Sequence, residues 1–195
     1  VMLNMGQRES DSAVIEASGR DPEMFGLIYD RYAAMLYRFA FRRLGAEAAE
    51  DVVAETFLAA FRRRASYDID RADARPWLFG ILVKEISRHH RIEDARLRAA
   101  AALRAPRNDE GLADRVAEVV SAGAAGGVLA AALAELKGRD RDVLLLIAWS
   151  DLSYDETATA LGIAIGTVRS RLNRARRQIR EALGSTDPTR MTEES

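Results

Sequence analysis

The sequence predicts an all-α protein: two small helical domains joined by a flexible linker, the C-terminal one a helix-turn-helix. Three observations carry that expectation. Apolar residues recur at helical spacing through residues 20–98 and 128–184, and no stretch alternates apolar and polar residues long enough to suggest a sheet. Only four prolines interrupt 195 residues. Between the two periodic stretches, residues 99–127 change to Ala, Gly and small polar residues (AAALRAPRNDEG, SAGAAGG), which reads as a linker with one weak helix over Leu112–Val120.

Composition bounds the function. Twenty-nine basic residues against thirty acidic ones leave a net charge of −1, which excludes a uniformly basic, histone-like protein and an acidic solvating chain. The charge is segregated, however: residues 167–180 hold six arginines and no acid. Lys84 and Lys137 are the only lysines. A GC-rich genome explains such a bias plainly; recognition of phosphates and bases by the guanidinium fork explains it more sharply. With no cysteine there is no disulfide, thiolate zinc site or cysteine nucleophile. No apolar run approaches the roughly 20 residues of a membrane span, and residues 1–16 lack the regions of a signal peptide. The expectation is a cytoplasmic protein without membrane insertion.

Residues 1–19 are read as an N-terminal extension, and residues 20–98 as the first domain. Asp21 caps a helix with Pro22 at its first position, and Phe25, Ile28, Tyr29, Tyr32, Leu36, Phe39 and Ala40 form its apolar face up to Leu44-Gly45. A second helix is expected over about residues 46–64. Val53, Phe57, Ala60 and Phe61 make its apolar face, while Glu47, Asp51 and Glu55, with Glu50 beside them, make an acidic stripe whose nearby compensating charge is Arg43. Such a stripe is usually a solvated face; if it has a partner, the partner is basic. Arg62, Arg63 and Arg64 follow, then a polar loop with Tyr67 and Arg71, then Arg75-Pro76-Trp77 opening a third helix that runs to about Arg98. Lys84, Arg88 and Arg91 share one face of it. Basic residues interleaved with aromatics suit single-stranded nucleic acid, although Trp77 and Phe79 read first as core. His89 and His90 point in different directions on a helix and do not form a metal site.

In residues 128–184, a helix over about Gly138–Trp149 is apolar nearly all round and reads as the core, Trp149 included. Ser153 and Glu156 form a capping box that opens the helix YDETATAL, which ends at Leu161-Gly162. After a turn, Thr167 is the expected N-cap of the next helix. Val168, Leu172, Ala175, Ile179 and Ala182 make one stripe there, and everything off it is polar or basic. A solvated helix normally mixes charge signs, because like charges three or four residues apart repel. Unrelieved repulsion makes sense if phosphates relieve it. Arg169, Ser170, Arg171 and Asn173, near the start of this second helix, are placed to reach bases in a major groove, and Arg176, Arg177 and Arg180 to meet phosphate. Residues 185–195 are expected to be a disordered tail.

In order, the segments FGLIYDRYAAMLYRFAFRRLG, AEDVVAETFLAAFRRR and RPWLFGI, then LAELKGRDRDVLLLIAWSDLSYDETATALGIAIGTVRSRLNRARRQIREAL, resemble regions 2 and 4 of a bacterial extracytoplasmic-function (ECF) RNA polymerase sigma factor. The resemblance covers about residues 20–98 and 128–184. It implies a non-enzymatic promoter-specificity subunit without a third sigma domain. Glu47, Glu50, Asp51 and Glu55 would dock on the clamp helices of the largest subunit of core RNA polymerase. Arg62, Arg63, Arg64, Tyr67, Arg71, Arg75, Lys84, Arg88 and Arg91 would open the −10 element of promoter DNA and hold the unpaired strand, capturing an extruded base. Thr167, Arg169, Ser170, Arg171, Asn173 and Arg174, with Arg176, Arg177 and Arg180, would read the −35 element as duplex. An anti-sigma factor wedged between the domains is a further partner common in the family.

Two positions depart from the family pattern: Val83-Lys84 stands where an Arg-Asn pair is common, and Ala164 where the recognition turn usually has proline. The alternative is a stand-alone helix-turn-helix regulator, which would bind duplex DNA unaided and usually needs an apolar dimer helix, and none is evident. An enzyme with a DNA-binding tail is the third reading; no phosphate loop, nucleophile elbow, metal cluster or cofactor motif supports it.

Overall fold

The computed structural model describes residues 9–102 and 124–184, and these form helices and turns without a strand. The weak helix expected over Leu112–Val120 and the tail at 185–195 lie outside the described residues. Of the linker, residues 99–102 continue one helix and 124–127 begin another.

Helix α1 (Asp11–Ala17) is capped by Ser10, whose hydroxyl accepts the Ala13 N–H at 3.2 Å. Asp21 accepts the Glu23 N–H to start a 3₁₀ turn, Pro22–Phe25, so the helix expected at Pro22 begins as a tighter turn before α2 (Gly26–Leu44). Gly45 ends α2 with φ 82°, a conformation that glycine adopts without a Cβ penalty, and its N–H donates to Phe41 O. Helix α3 (Ala46–Arg63) follows, then a 3₁₀ turn (Arg64–Ser66), a loop, and α4 (Arg75–Ala102).

Ile28, Leu36, Phe39, Leu78, Phe79, Leu82 and Ile86 fill the space between α2, α3 and α4. Each such side chain contributes about 1.5–3 kcal/mol on burial. Residues 9–18 join this core rather than extending from it: Val14, Ile15 and Ser18 are buried, although no long periodic run announced them.

The second unit contains α5 (Ala124–Glu135), α6 (Gly138–Ser150), α7 (Tyr154–Leu161) and α8 (Ile165–Gly184). Both halves of the capping box form: Ser153 Oγ accepts the Glu156 N–H at 3.1 Å, and Glu156 accepts the Ser153 N–H at 2.7 Å. Gly162, at φ 62°, closes α7. Val168, Leu172 and Ala175 are buried, and Val168 and Leu172 meet Val143 of α6. Thr167 is not the N-cap. Ala164 holds that place, its carbonyl accepting the N–H groups of Thr167 and Val168, so α8 starts three residues earlier and Thr167 lies in its first turn.

The two units share an interface. Helix α4 crosses α7 so closely that a Cβ on Gly80 would lie 2.3 Å from Ala160 O. Trp149 was expected in the core of the second unit. Instead its ring meets Phe39 edge-on at 6.2 Å and carries the Arg42 guanidinium 5.4 Å from its centroid. The half-buried ring at the end of α6 thus packs across the interface on the larger core cluster.

Candidate nucleic-acid interface

The recognition face is laid out by α8. Arg169, Ser170, Asn173, Arg176, Arg177 and Arg180 are exposed, and Thr167 and Arg171 half-buried. Arg177 stands 3.7 Å from Glu181, the first acid after the basic run. Arg169 and Arg176 have no carboxylate partner among the described residues. Arg174 differs from the others. It makes a bidentate contact with the buried Asp140 of α6, Nε to Oδ2 at 2.7 Å and Nη2 to Oδ1 at 3.0 Å. The Arg174 bonds hold the Asp140 carboxyl below its ordinary range despite its burial, helped by the charges of Arg174, Arg171 and Lys137. A buried carboxylate needs a partner, so Arg174 acts as a strut between α6 and α8.

The expected single-strand surface is divided. Arg62 and Arg63 are exposed at the end of α3. Arg64 folds back over the Phe61 ring at 3.9 Å and donates to the carbonyls of Phe61 and Ser18, bracing α1 rather than facing solvent. Tyr67 is buried; its ring meets Trp77 edge-on at 5.0 Å and its hydroxyl donates to Arg71 O, so it does not offer a stacking face in this conformation. Burial and the charges of Asp11, Asp73 and Asp68 push its hydroxyl up to about 12, so it stays protonated. Arg71 donates to Thr159 Oγ1 at 2.9 Å and pairs with Asp68. Arg75 pairs with Asp73 and, across the interface, with Glu156 at 2.9 Å. Burial opposes ionisation of Glu156, but the bonds from Ser153 and Arg75 outweigh it and lower its carboxyl.

The structure also separates Lys84 from Arg88. Lys84 lines a cleft of about 240 Å³ with Arg63, Tyr67, Arg71 and Trp77 on one side and Thr159 and Gly162 on the other. Arg88 lines a different groove, 3.1 Å from Glu85 and 3.9 Å from Glu55. Arg91 is exposed and donates to Ser87 O.

Glu47, Glu50, Asp51 and Glu55 are exposed along α3, while Phe57 is buried against Tyr29. Arg43 does not compensate this stripe: it is nearly buried and pairs with Asp142 of α6 at 2.8 Å. Arg88 is the cation nearest Glu55. Sequence reasoning missed Asp140, Glu156 and Thr159 as partners of the arginines. The one local signal was Asp140 itself, an acid in the first turn of α6. Among the described residues no group of three or more His, Cys, Asp or Glu could hold a metal ion, and no helix is long and apolar enough to cross a membrane.

The families described as Sigma-70 region 2 and Sigma-70, region 4 match residues 28–96 and 127–179. The ECF RNA polymerase sigma factor SigL of Mycobacterium tuberculosis is 33% identical over 185 residues, covering 94% of this chain and 99% of the relative. The ECF RNA polymerase sigma factor BldN of Streptomyces coelicolor is 30% identical over 183 residues, covering 90% of this chain and 68% of the relative. Among solved structures, CnrH in complex with the cytosolic domain of CnrY matches with a TM-score of 0.65 and 26% identity, over 91% of this chain and 99% of that one. The sigma factor RpoE in complex with the anti-sigma factor NepR, from Bartonella quintana, matches with a TM-score of 0.61 and 25% identity, over 85% of this chain and 99% of that one.

Proposed function

This chain belongs to the ECF RNA polymerase sigma factors, and we propose that it is a promoter-specificity subunit that binds core RNA polymerase, recognises −35 and −10 elements and promotes strand opening in the bacterial cytoplasm. The observation that carries this reading is the α8 face, a run of exposed arginines without acid, seated by Val168, Leu172 and Ala175 behind a capped α7. Arg169, Ser170, Arg171 and Asn173 lie at the start of α8, where a major-groove helix meets base edges, and Arg176, Arg177 and Arg180 lie where it runs past phosphates.

The exposed acids of α3 are the docking surface for the polymerase, with Asp51 and Glu55 at its centre. Arg62, Arg63 and Lys84 remain open to track an unpaired strand. Arg71 and Arg75 join them once their bonds to Thr159 and Glu156 are exchanged for phosphate. The work is binding, not catalysis. An anti-sigma factor is a partner of the kind RpoE of Bartonella quintana binds.

Transcription in vitro with bacterial core polymerase on a promoter library tests the reading. Promoter-specific initiation that depends on this protein is expected, and its absence on every promoter sinks the proposal. Asp51→Arg is expected to abolish association with core polymerase, read by gel filtration, while DNA affinity of the free chain stays unchanged; loss of both would refute the division of labour.

A further inference from the structure

We propose that Asp11 is a positioning residue for the loop that carries Tyr67, Arg71 and Arg75, an inference that rests on the promoter-opening reading above. Asp11 sits in the first turn of α1, where an acid ordinarily faces water and favours the helix dipole. It does neither job alone. Ser10 caps the helix, and Asp11 is 5% exposed, turned inward. A carboxylate buried to that degree is costly unless it is paired and hydrogen-bonded.

Its partners all lie outside α1. Oδ1 accepts from Arg31 Nη1 at 2.7 Å. Oδ2 accepts the Ala74 N–H at 2.8 Å and the hydroxyl of Tyr32. The Asp11 backbone N–H donates to Ala72 O at 3.1 Å. Asp11 therefore grips the loop on both sides of Asp73, and Asp73 Oδ1 in turn accepts the Arg75 N–H at 2.8 Å where α4 begins. The Tyr32 hydroxyl lies 3.3 Å from that same oxygen and closes the network. Burial, then Asp11 and Asp73, hold the Tyr32 hydroxyl protonated, so it remains a donor.

The function follows from what is held. Without these bonds the segment from Asp68 to Asp73 is a polar loop whose one large apolar residue, Ile69, is exposed. With them, the backbone that places Arg71 and Arg75 has one arrangement before any strand arrives. Ordering it in advance removes that entropic cost from the capture step. Asp11 touches no DNA in this scheme; it acts through Ala72, Ala74 and Tyr32.

The test uses the full chain assembled with core polymerase, in four forms: wild type, Asp11→Asn, Tyr32→Phe and the double variant. Three quantities are measured: assembly with core, holoenzyme affinity for a duplex carrying only the −35 element, and capture of a single-stranded −10 oligonucleotide. Asp11→Asn keeps the shape but loses an acceptor at Oδ2 and the charge. The expected result is unchanged assembly and duplex affinity with strand capture weakened about tenfold, the scale of a lost charge-assisted hydrogen bond. Tyr32→Phe, which keeps the packed ring, should weaken capture less, and the double variant should be no worse than Asp11→Asn because one network is broken twice. Equal loss in all three quantities, or unchanged capture in both single variants, overturns the inference. A wild-type holoenzyme that captures no strand overturns the promoter-opening reading beneath it.

Discussion

The two basic surfaces of this chain are built from the same side chain and stand in different states. On α8, Arg169 and Arg176 face water with no carboxylate partner among the described residues. Around the start of α4, Arg71 is bonded to Thr159 and Arg75 to Glu156. Arginine count and net charge cannot express that difference. It lies in whether an acid or hydroxyl from a distant helix is already in place. An anion at the α8 face would displace water alone; at the α4 surface it would first displace protein partners.

The largest expected effect comes from removing the seat of the free surface. Leu172 is buried against Val143 and Val168, and Leu172→Ala should destabilise the second unit by about 2–5 kcal/mol, read by denaturant unfolding. Next is the contact that engages the other surface. Gly80→Val places a side chain where Ala160 O already lies, and backbone cannot swing aside as a side chain can. Overpacking of this kind costs about 1–3 kcal/mol, and the expected outcome is separation of α4 from α7, seen as a larger radius of gyration and faster amide exchange in α7. An unchanged radius would mean that the interface tolerates what its geometry forbids.

Acid sharpens the comparison, because the interface holds a histidine among cations and α8 has none. Burial, then Arg43, His89 and Arg141, push His90 down to about 4. Unfolded histidine titrates near 6.5, so the unfolded chain binds the proton more readily in between. Stability should fall as pH drops from about 6.5 towards 4, and His90→Gln should flatten that window in pH-dependent unfolding. The smallest effect is expected for Arg75→Ala. The pair with Glu156 is part-exposed and contributes about 0.2–1 kcal/mol. A modest rise in α7 amide exchange is the expected reading; a rise as large as that from Gly80→Val would place the interface energy in charge rather than packing.

Much of the helical fold was legible along the chain. Ser153 and Glu156 announced α7 because a capping box is local, and Val168, Leu172 and Ala175 announced the buried side of α8 because a helix repeats. The start of α8 was misjudged at Thr167, since Ala164 caps with its carbonyl alone and carries no side-chain signal. The state of the arginines was not legible. Arg174 meets Asp140 across 34 positions and Arg75 meets Glu156 across 81. No periodicity encodes such a meeting; it exists only after helices pack. The role of α1 was hidden for a different reason: at seven residues it is too short for a periodic pattern to stand out.

That short helix changes where the first unit can be cut. The match to Sigma-70 region 2 begins at residue 28, yet Val14 and Ile15 belong to the same buried cluster as Ile28 and Phe79. A protease that clipped the chain near Arg20 would do what a core substitution does. It would bare apolar surface on α2 and leave the Ala74 N–H and the Tyr32 hydroxyl without the carboxylate that receives them. Residues ahead of the recognisable domain are thus inseparable from its half-life.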